Sequence, residues 1–390
     1  MHKNKASIIR PQSPYGATLE LLTGKCNLRC IYCVIQTDKY DFPDYPRLQM
    51  APEIIEHVKL LFSRDRPTSI NLCGNGETTM LEDWTTICEP FLSLADKVDT
   101  ISNLAKTLSR EELSFLARLG GITTSIDTAD AKLLMEIRKP VQLRNIVLNL
   151  NLVRAEAALQ GHPPPSFNIN CTVTTKNYRE LTRLIALASS LGIGHVTFSD
   201  VFETVTAITH GVRSISTISP DALTGAKTEF QQASALAAKV GITIGISSHQ
   251  LSTLFTDGGT TTMKGGLASR DQTTVLCLQP WRKLFVNADG HASFCCRHMG
   301  STECDITSFS SVRDILNNAN AVQLRDALLS GHCPERCRSC EHGQPATPDQ
   351  LKKTIQMFQM NQTKFAAIVR RLPLMQTIWR VLRKFMHPIR

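Results

Sequence analysis

The sequence lacks acidic residues in its C-terminal segment. Residues 350–390 carry nine Lys or Arg side chains and no Asp or Glu. Because the whole chain has 43 basic and 34 acidic residues, residues 1–349 hold equal numbers of each and are neutral overall. The formal net charge of +9 therefore belongs to this segment. A nucleic-acid-binding body would carry the basic excess itself, so we expect no nucleic-acid partner.

Long apolar runs are also missing. No stretch of about 18 apolar residues occurs, which predicts no membrane-spanning helix, and Met1–Arg10 lacks the apolar core of a signal peptide. We therefore expect a cytoplasmic protein. In that compartment 13 cysteines indicate metal or redox sites rather than a disulfide framework.

Strand patterns alternate with helical patterns, such as the one near Asp83–Leu94, through the first two thirds of the chain. This alternation predicts parallel strands with crossover helices, and no G-x-G-x-x-G follows the first strand, which argues against a Rossmann sheet. We predict an α/β fold with a partial (β/α)6 TIM-like barrel, or a fuller one closed by a strand near Ile242–Ile246. The six predicted strands are Ala17–Thr23, Ser69–Cys73, Val98–Ser102, Ile122–Ile126, Phe167–Thr174 and His195–Ser199.

Composition then divides the chain into four parts. We assign residues 1–250 to the barrel and residues 251–275, which are rich in Thr and Gly, to a flexible connector. Residues 276–345 form a small cysteine-rich domain, and residues 346–390 form a basic amphipathic helical tail.

Three cysteines follow the first predicted strand in a C-x3-C-x2-C pattern. Cys26, Cys30 and Cys33 give three closely spaced thiolates, which suit an iron–sulfur cluster. A [4Fe–4S] cluster has four irons, so three thiolates leave one iron open to a small molecule. The alternative is a zinc knuckle, which requires a fourth ligand that the loop does not provide.

This loop resembles that of the radical S-adenosylmethionine (SAM) superfamily, with Tyr32 at the aromatic position before Cys33. The resemblance implies that Cys26, Cys30 and Cys33 hold a catalytic [4Fe–4S] cluster whose open iron chelates SAM. It further implies that reductive cleavage of SAM gives a 5′-deoxyadenosyl radical, which abstracts a substrate hydrogen. A flavodoxin- or ferredoxin-type electron donor is implied as well.

A glycine motif after the second predicted strand adds to the resemblance. Gly74 and Gly76 let the backbone approach a ligand closely, and Glu77 completes a G-x-G-E form of the superfamily's Gly-Gly-Glu motif. The resemblance implies that Glu77 and nearby backbone engage the SAM amino group. The family usually has Pro after the Glu, whereas this chain has Thr78.

Polar residues further along complete the predicted SAM site. By family position, Ser125 or Asp127 binds the ribose, at the active end of the barrel strands. Arg138 matches the arginine that meets the SAM carboxylate in related enzymes. The alternative for Arg138 is a solvated helix end.

The second cysteine region resembles the SPASM/Twitch extension of radical SAM enzymes. Cys277, Gly290 and Cys295 follow its opening pattern, and the turn at 287–290 is expected to bring the two cysteines together. With Cys337 and Cys340, the resemblance implies four thiolates that hold an auxiliary [4Fe–4S] cluster. Zinc in the same four cysteines is the alternative.

Six cysteines remain outside the two predicted clusters. The full SPASM pattern has seven cysteines for two auxiliary clusters, but their usual order is absent here, so we favour one auxiliary cluster. Cys296, Cys304 and Cys333 are surplus in this assignment, whereas Cys73, Cys88 and Cys171 lie in apolar contexts and are expected in the core.

The tail combines apolar residues at helical spacing with Arg and Lys. A basic amphipathic helix suits peripheral contact of residues 350–390 with an anionic membrane, such as the inner face of the cell membrane. The alternative is a helix packed on the barrel or on a partner.

The resemblance implies a radical SAM enzyme of oxidoreductase or lyase type. Its substrate is expected to be a carbohydrate-like or small polar metabolite that is oxidised, dehydrated or epimerised. A peptide maturase that cross-links or epimerises a peptide is the second prediction. A non-catalytic iron–sulfur scaffold or electron carrier is the alternative of another class.

Overall fold

The computed structural model describes residues 15–33, 35, 48–255, 274–296, 304–338, 340 and 343–359. Its centre is a nine-stranded sheet in the order β12-β11-β1-β3-β4-β5-β7-β8-β9. All neighbouring strands in it are parallel except β11 and β12, which form a hairpin. These strands are β1 Gly16–Leu19, β3 Ser69–Leu72, β4 Lys97–Ser102, β5 Gly121–Ser125, β7 Ser166–Val173, β8 His195–Asp200, β9 Thr243–Ile246, β11 Lys283–Val286 and β12 Ala292–Ser293.

Two short ladders lie outside the main sheet. Strand β2 (Arg29–Cys30) pairs antiparallel with β6 (Arg138–Lys139), and β10 (Thr274–Leu276) pairs antiparallel with β13 (Gln344–Ala346). The first of these ladders has no sequence signal, because it contains only two residues on each side. It joins the cysteine loop to the segment that carries Arg138.

Helices connect the parallel strands, as predicted. They are α1 Pro52–Arg64, α2 Trp84–Cys88, α3 Phe91–Leu94, α4 Arg110–Ala117, α5 Ala131–Ile137, α6 Leu143–Leu159, α7 Leu181–Ser190, α8 Val205–Thr209, α9 Pro220–Val240, α10 His249–Phe255, α11 Gln279–Arg282, α12 Val312–Leu316, α13 Ala319–Ser330 and α14 Glu335–Arg338. A further helix, α15, covers 348–359.

Helix ends follow local chemistry. Ser109 and Glu112 form a reciprocal capping box that begins α4, and Asp130 accepts from the amides of Lys132 and Leu133 to begin α5. The helix predicted over Asp83–Leu94 is instead two helices. Pro90 separates them because it has no amide hydrogen with which to continue the hydrogen bonds of α2.

The two faces of each barrel strand differ in polarity. In β7, Phe167, Ile169 and Cys171 are buried, whereas Asn168 and Asn170 on the other face are half-buried. The buried face packs on the helices, as shown in β8 by Phe198, whose ring meets Phe230 of α9 edge-on. The barrel therefore has an apolar outer layer and a polar inner face. This arrangement agrees with the predicted partial barrel. The strand predicted near Ile242–Ile246 is present as β9, which pairs with β8 and forms one edge of the open sheet.

The cysteine-rich region continues the barrel sheet. Strand β11 lies parallel to β1, with Gly16 opposite Lys283, so the sheet passes from the barrel into the C-terminal region. Gly290 turns the β11–β12 hairpin: its amide donates to the Asn287 carbonyl at 3.0 Å and its φ is 83°. The predicted hairpin is thus present.

The predicted connector and tail are described only in part. Residues 251–255 belong to α10 and residues 274–276 to β10, whereas residues 256–273 lie outside the described residues. The tail beyond position 359 also lies outside them, so its membrane contact stays a prediction. Among the helices that the structure describes, none has the length and apolar character needed to span a bilayer.

Gly290→Ala should destabilise the hairpin. A Cβ at this position would lie 2.9 Å from Ile54 Cδ1, and the positive φ disfavours any side chain, so we expect a loss of about 1–3 kcal/mol and a lower melting temperature. Gly161→Ala is the matched control, because Gly161 has a φ of 72° and open space around it. Equal melting temperatures for the two variants would contradict tight packing of the hairpin on α1.

Candidate active site and auxiliary cysteine site

The cysteine loop leaves the C-terminal end of β1, where the parallel strands share one edge. At Cys26, the Leu28 amide donates to Sγ at 3.4 Å, and Asn103 Nδ2, after the end of β4, donates to the same sulfur at 3.6 Å. At Cys30, Arg138 Nη1 lies 3.9 Å from Sγ. Cluster thiolates accept such hydrogen bonds, so the surroundings of these sulfurs fit an iron–sulfur cluster.

The thiols of this loop are partly buried and influence one another. Burial raises the pKa of Cys26 to about 11, and the nearby Glu77 and Cys33 add to the increase. Burial also raises the pKa of Cys30 to about 12, against the opposing charge of Arg138. Iron must therefore displace the thiol protons when it binds.

The glycine motif packs directly against the cysteine loop. A Cβ on Gly76 would lie 2.8 Å from the Leu22 carbonyl oxygen and 2.9 Å from that of Lys25, and both obstacles are backbone. The Glu77 amide donates to the Lys25 carbonyl at 2.9 Å. Glycine is thus required at position 76 because the two loops touch there.

The Glu77 carboxylate is buried, and both of its oxygens accept hydrogen bonds from protein donors. Its Oε1 accepts from the hydroxyls of Thr79 at 2.9 Å and Ser102 at 2.8 Å, and its Oε2 accepts from the Asn103 amide at 2.8 Å. Burial raises the pKa of Glu77, while these hydrogen bonds lower it. These contacts give Glu77 a role in joining the loop after β3 to the end of β4. Contact of Glu77 with SAM stays a prediction.

Two residues that were not predicted from the sequence, Glu20 and Asn103, support the cysteine loop and the glycine motif. Glu20, 1% exposed, accepts from the Asn75 amide at 2.6 Å, and its side chain fills the space where a Cβ on Gly74 would stand. Asn103 is followed by Leu104 at a φ of 50°, and Asn149 Nδ2 holds that turn by donating to the Leu104 carbonyl at 2.8 Å. Such a strained turn is typical of functional sites.

Asp127 and Arg138 form a buried ion pair. Arg138 Nε and Nη2 donate to the two oxygens of Asp127 at 2.6 and 2.9 Å, and the Tyr32 hydroxyl donates to Asp127 Oδ2 at 2.8 Å. Burial alone would lower the pKa of Arg138, but the Asp127 charge holds it well above its usual value. Arg138 is therefore no solvated helix end, and Asp127, with 0% exposure, directs Arg138 towards Cys30.

Ser125 lies on the polar inner face, next to a row of hydrogen-bonded side chains on β7 and β8. Ser125 stands opposite Asn170, whose Oδ1 accepts from Ser199 Oγ at 2.9 Å. Ser199 Oγ in turn accepts from Ser247 Oγ at 2.9 Å. Asn170, Ser199 and Ser247 had no motif in the sequence. Ribose binding by Ser125 remains a prediction.

The predicted auxiliary cysteines converge, together with two others. Burial raises the pKa of Cys277 to about 11, and the nearby Cys295 and Cys340 raise it further. Cys337 hydrogen-bonds to Cys333, which lowers the pKa of Cys333, and Cys295 also lies in electrostatic range of Cys337. The hairpin thus brings Cys277 near Cys295, as predicted.

The surplus cysteines differ in their positions. Cys296 hydrogen-bonds to Cys295 and faces Cys277 and Cys340, so it belongs to the auxiliary group. Cys304 is buried beside the hairpin, where its carbonyl accepts from the Ala292 amide at 2.7 Å. Within the described ranges, no three His, Cys, Asp or Glu side chains are arranged to hold a single metal ion.

Two of the three cysteines expected in the core lie there. Cys88 and Cys171 are 0% exposed, in agreement with the prediction, whereas Cys73 is half-buried at the end of β3. Burial raises the pKa of Cys73 to about 12, with Lys283 lowering it and Glu20 raising it. Cys73 therefore faces charged groups of the barrel rather than the apolar layer, because the alternation of β3 turns it inward.

Residues 277–341 match the SPASM family, an iron–sulfur cluster-binding domain. This match confirms the predicted SPASM-like region and favours an iron–sulfur cluster over zinc in its cysteines. No curated protein matches the chain.

Several solved structures are similar to the chain. SuiB from Streptococcus suis bound to S-adenosylmethionine is 14% identical over 80% of this chain and 68% of that chain, with a TM-score of 0.58. SuiB bound to the precursor peptide SuiA is 15% identical over 83% and 69%, with a TM-score of 0.58. The anSMEcpe structure with bound AdoMet and Kp18Cys peptide is 15% identical over 84% and 87%, with a TM-score of 0.55.

The fold is that of the radical SAM enzymes. This confirms the fold predicted from the cysteine and glycine motifs. In the radical SAM fold seen here, β1, β3, β4 and β5 bring Cys26, Gly76, Asn103 and Asp127 to one end of the barrel. The sequence motifs alone did not predict that these four residues lie together.

Asp127→Asn should destabilise the protein by about 3 kcal/mol or more, because it leaves the buried Arg138 charge without its partner. The double variant Asp127→Asn/Arg138→Gln should regain part of that loss. Urea unfolding of the apoprotein measures both. Glu56→Gln, in an exposed pair with Lys59, is the control and should change the midpoint little. A single variant as stable as this control would contradict the buried pair.

Proposed function

We propose that the chain is a radical SAM enzyme that cleaves S-adenosylmethionine reductively and removes a hydrogen atom from its substrate. The observation that carries this proposal is the position of Cys26, Cys30 and Cys33. Their loop lies at the C-terminal edge of a parallel barrel, in contact with the glycine motif around Gly76. The SPASM match and the SAM-bound relatives support [4Fe–4S] clusters and SAM as cofactors.

The residues around the cysteine loop have distinct roles in this proposal. When bound, the cluster and SAM supply the 5′-deoxyadenosyl radical. The Leu28 amide, Asn103 and Arg138 donate hydrogen bonds to the cluster thiolates and stabilise their charge. Arg138, held by Asp127 and overlapping the Tyr32 ring at 5.5 Å, offers its cation to the SAM carboxylate, and Ser125 offers its hydroxyl to the ribose.

We favour a peptide as the substrate class. The similar proteins SuiB and anSMEcpe are known with the peptides SuiA and Kp18Cys, which supports the second of the two substrates predicted from the sequence. The polar inner face, with Asn168, Asn170 and Thr197, offers hydrogen bonds that a peptide backbone can use. SuiB and anSMEcpe give no such support to the carbohydrate-like metabolite that was predicted first.

Anaerobically reconstituted protein should release 5′-deoxyadenosine from SAM in the presence of dithionite. Cys30→Ala should abolish the release, because two thiolates cannot hold the cluster that leaves one iron open. Cys88→Ala, in the apolar core, is the control and should keep the activity. Chromatography of the products measures the yield. No release from wild-type protein with intact clusters would leave the scaffold or electron-carrier alternative.

The iron content tests the auxiliary site separately. Wild-type protein should contain about eight irons per chain, and Cys337→Ala/Cys340→Ala should retain about four, because only the cluster of the cysteine loop remains. Iron, sulfide and zinc analysis measures the change. About four irons with one zinc in the wild type would show that the auxiliary cysteines bind zinc instead.

A further inference from the structure

We propose that Arg29 and Lys139 form the docking surface for an acidic protein that delivers single electrons to the cluster held by Cys26, Cys30 and Cys33. This inference rests on the proposed function and adds the place where the electron enters. The partner is defined by its chemistry: a one-electron carrier with an acidic surface, of flavodoxin or ferredoxin type.

The first observation is a pair of like charges on one ladder. Arg29 on β2 stands directly opposite Lys139 on β6, and both side chains are exposed. Within the described part of the chain neither side chain forms an ion pair. Like charges directly opposite each other destabilise a strand pair. The fold retains this unfavourable arrangement, and an acidic surface placed across both side chains would relieve it.

The second observation is the position of this ladder. Cys30, a thiolate of the cysteine loop, follows Arg29 in β2 and stands opposite Arg138, which precedes Lys139 in β6. The ladder that carries the exposed cations therefore also carries a cluster ligand. Arg29 is adjacent to Cys30 in the chain, so an electron donor bound to Arg29 and Lys139 would lie close to this cluster ligand.

The third observation is the local excess of positive charge. Residues 1–349 are neutral, yet the cysteine loop carries a further exposed cation, Lys25, four residues before Arg29, while on α5 the exposed Lys132 and Glu136 offset each other. Met135, 46% exposed, lies on α5 between Lys132 and Lys139 and offers an apolar contact. Local charge of one sign steers an oppositely charged partner to its site.

The shape of the surface favours a protein over a small anion. Small-molecule sites are concave and bury most of their ligand. Arg29 and Lys139 instead lie exposed on a two-residue ladder, with Lys25 and Lys132 also exposed. Small interfaces are typical of transient electron-transfer complexes.

The test compares two reductants on the same full-length, cluster-loaded protein. One assay uses reduced flavodoxin with its reductase and NADPH, and the other uses dithionite, which needs no docking surface. The variant is Arg29→Glu/Lys139→Glu, with Arg29→Gln/Lys139→Gln as a milder form. Lys239→Glu is the control, because Lys239 is exposed in the last turn of α9, before the start of β9 and so at the opposite end of the barrel.

We expect the flavodoxin-driven rate constant of the Glu variant to fall by about 10-fold or more, because charge reversal removes the steering. The dithionite-driven yield should stay within about two-fold of wild type, and added salt should slow the wild type more than the variant. An unchanged flavodoxin-driven rate overturns the proposal. An equal fall with both reductants also overturns it, since the two residues would then support the cluster rather than the donor.

A second measurement, calorimetric binding of oxidised flavodoxin to the protein, does not depend on catalytic turnover. Wild-type protein should bind it more tightly than the Glu variant at low salt, and equal affinities overturn the proposal. A wild type that binds flavodoxin but releases no 5′-deoxyadenosine with either reductant refutes the enzyme function while supporting the docking surface. The two failures are therefore distinguishable.

Discussion

The ion pair between Asp127 and Arg138 connects the parts of the site that come from distant positions in the sequence. Asp127 follows β5, whereas Arg138 lies on β6 and thereby pairs with the strand that carries Cys30. The two charges have 0% and 7% exposure, so neither is stable there without the other. Tyr32 and the Thr172 amide occupy the remaining acceptor positions of Asp127. The cysteine loop is thus held to the barrel by buried electrostatics.

Hydrogen bonds extend this arrangement around the strand ends. Glu77 joins the loop after β3 to Ser102 and Asn103 at the end of β4, and Glu20 joins that same loop to β1. In each case a carboxylate accepts backbone amides that the end of a strand leaves unpaired. Buried polar networks of this kind are stable only when every member is satisfied. The geometry around Cys26 therefore depends on residues at the ends of three strands, β1, β3 and β4.

The sequence was sufficient for the barrel and for the cysteine ligands, but not for their supports. Alternating strand and helix patterns predicted the parallel strands β1, β3, β4, β5, β7, β8 and β9 well, because burial against helices imposes clear periodicity. The C-x3-C-x2-C spacing is specific on its own. Asn103, Glu20 and Asn170 carry no motif, since a single polar residue at a strand end resembles any turn residue. The break at Pro90 was missed although its chemistry is visible in the sequence. Cys73 was assigned to the apolar core because its neighbours in the chain are apolar. Strand alternation instead turns its side chain to the polar inner face of the barrel.

The pairing of β11 with β1 has a consequence for how the chain folds. Gly16 and Lys283 are neighbours in the sheet but lie far apart in the sequence, so this contact closes a loop that contains the whole barrel. During synthesis, the free edge of β1 stays unpaired until the C-terminal region has emerged. An unpaired parallel edge can associate with other chains in the interval. Formation of the C-terminal region, in which the auxiliary cysteines lie on both sides of β11, would then also determine how much of the newly made protein escapes aggregation.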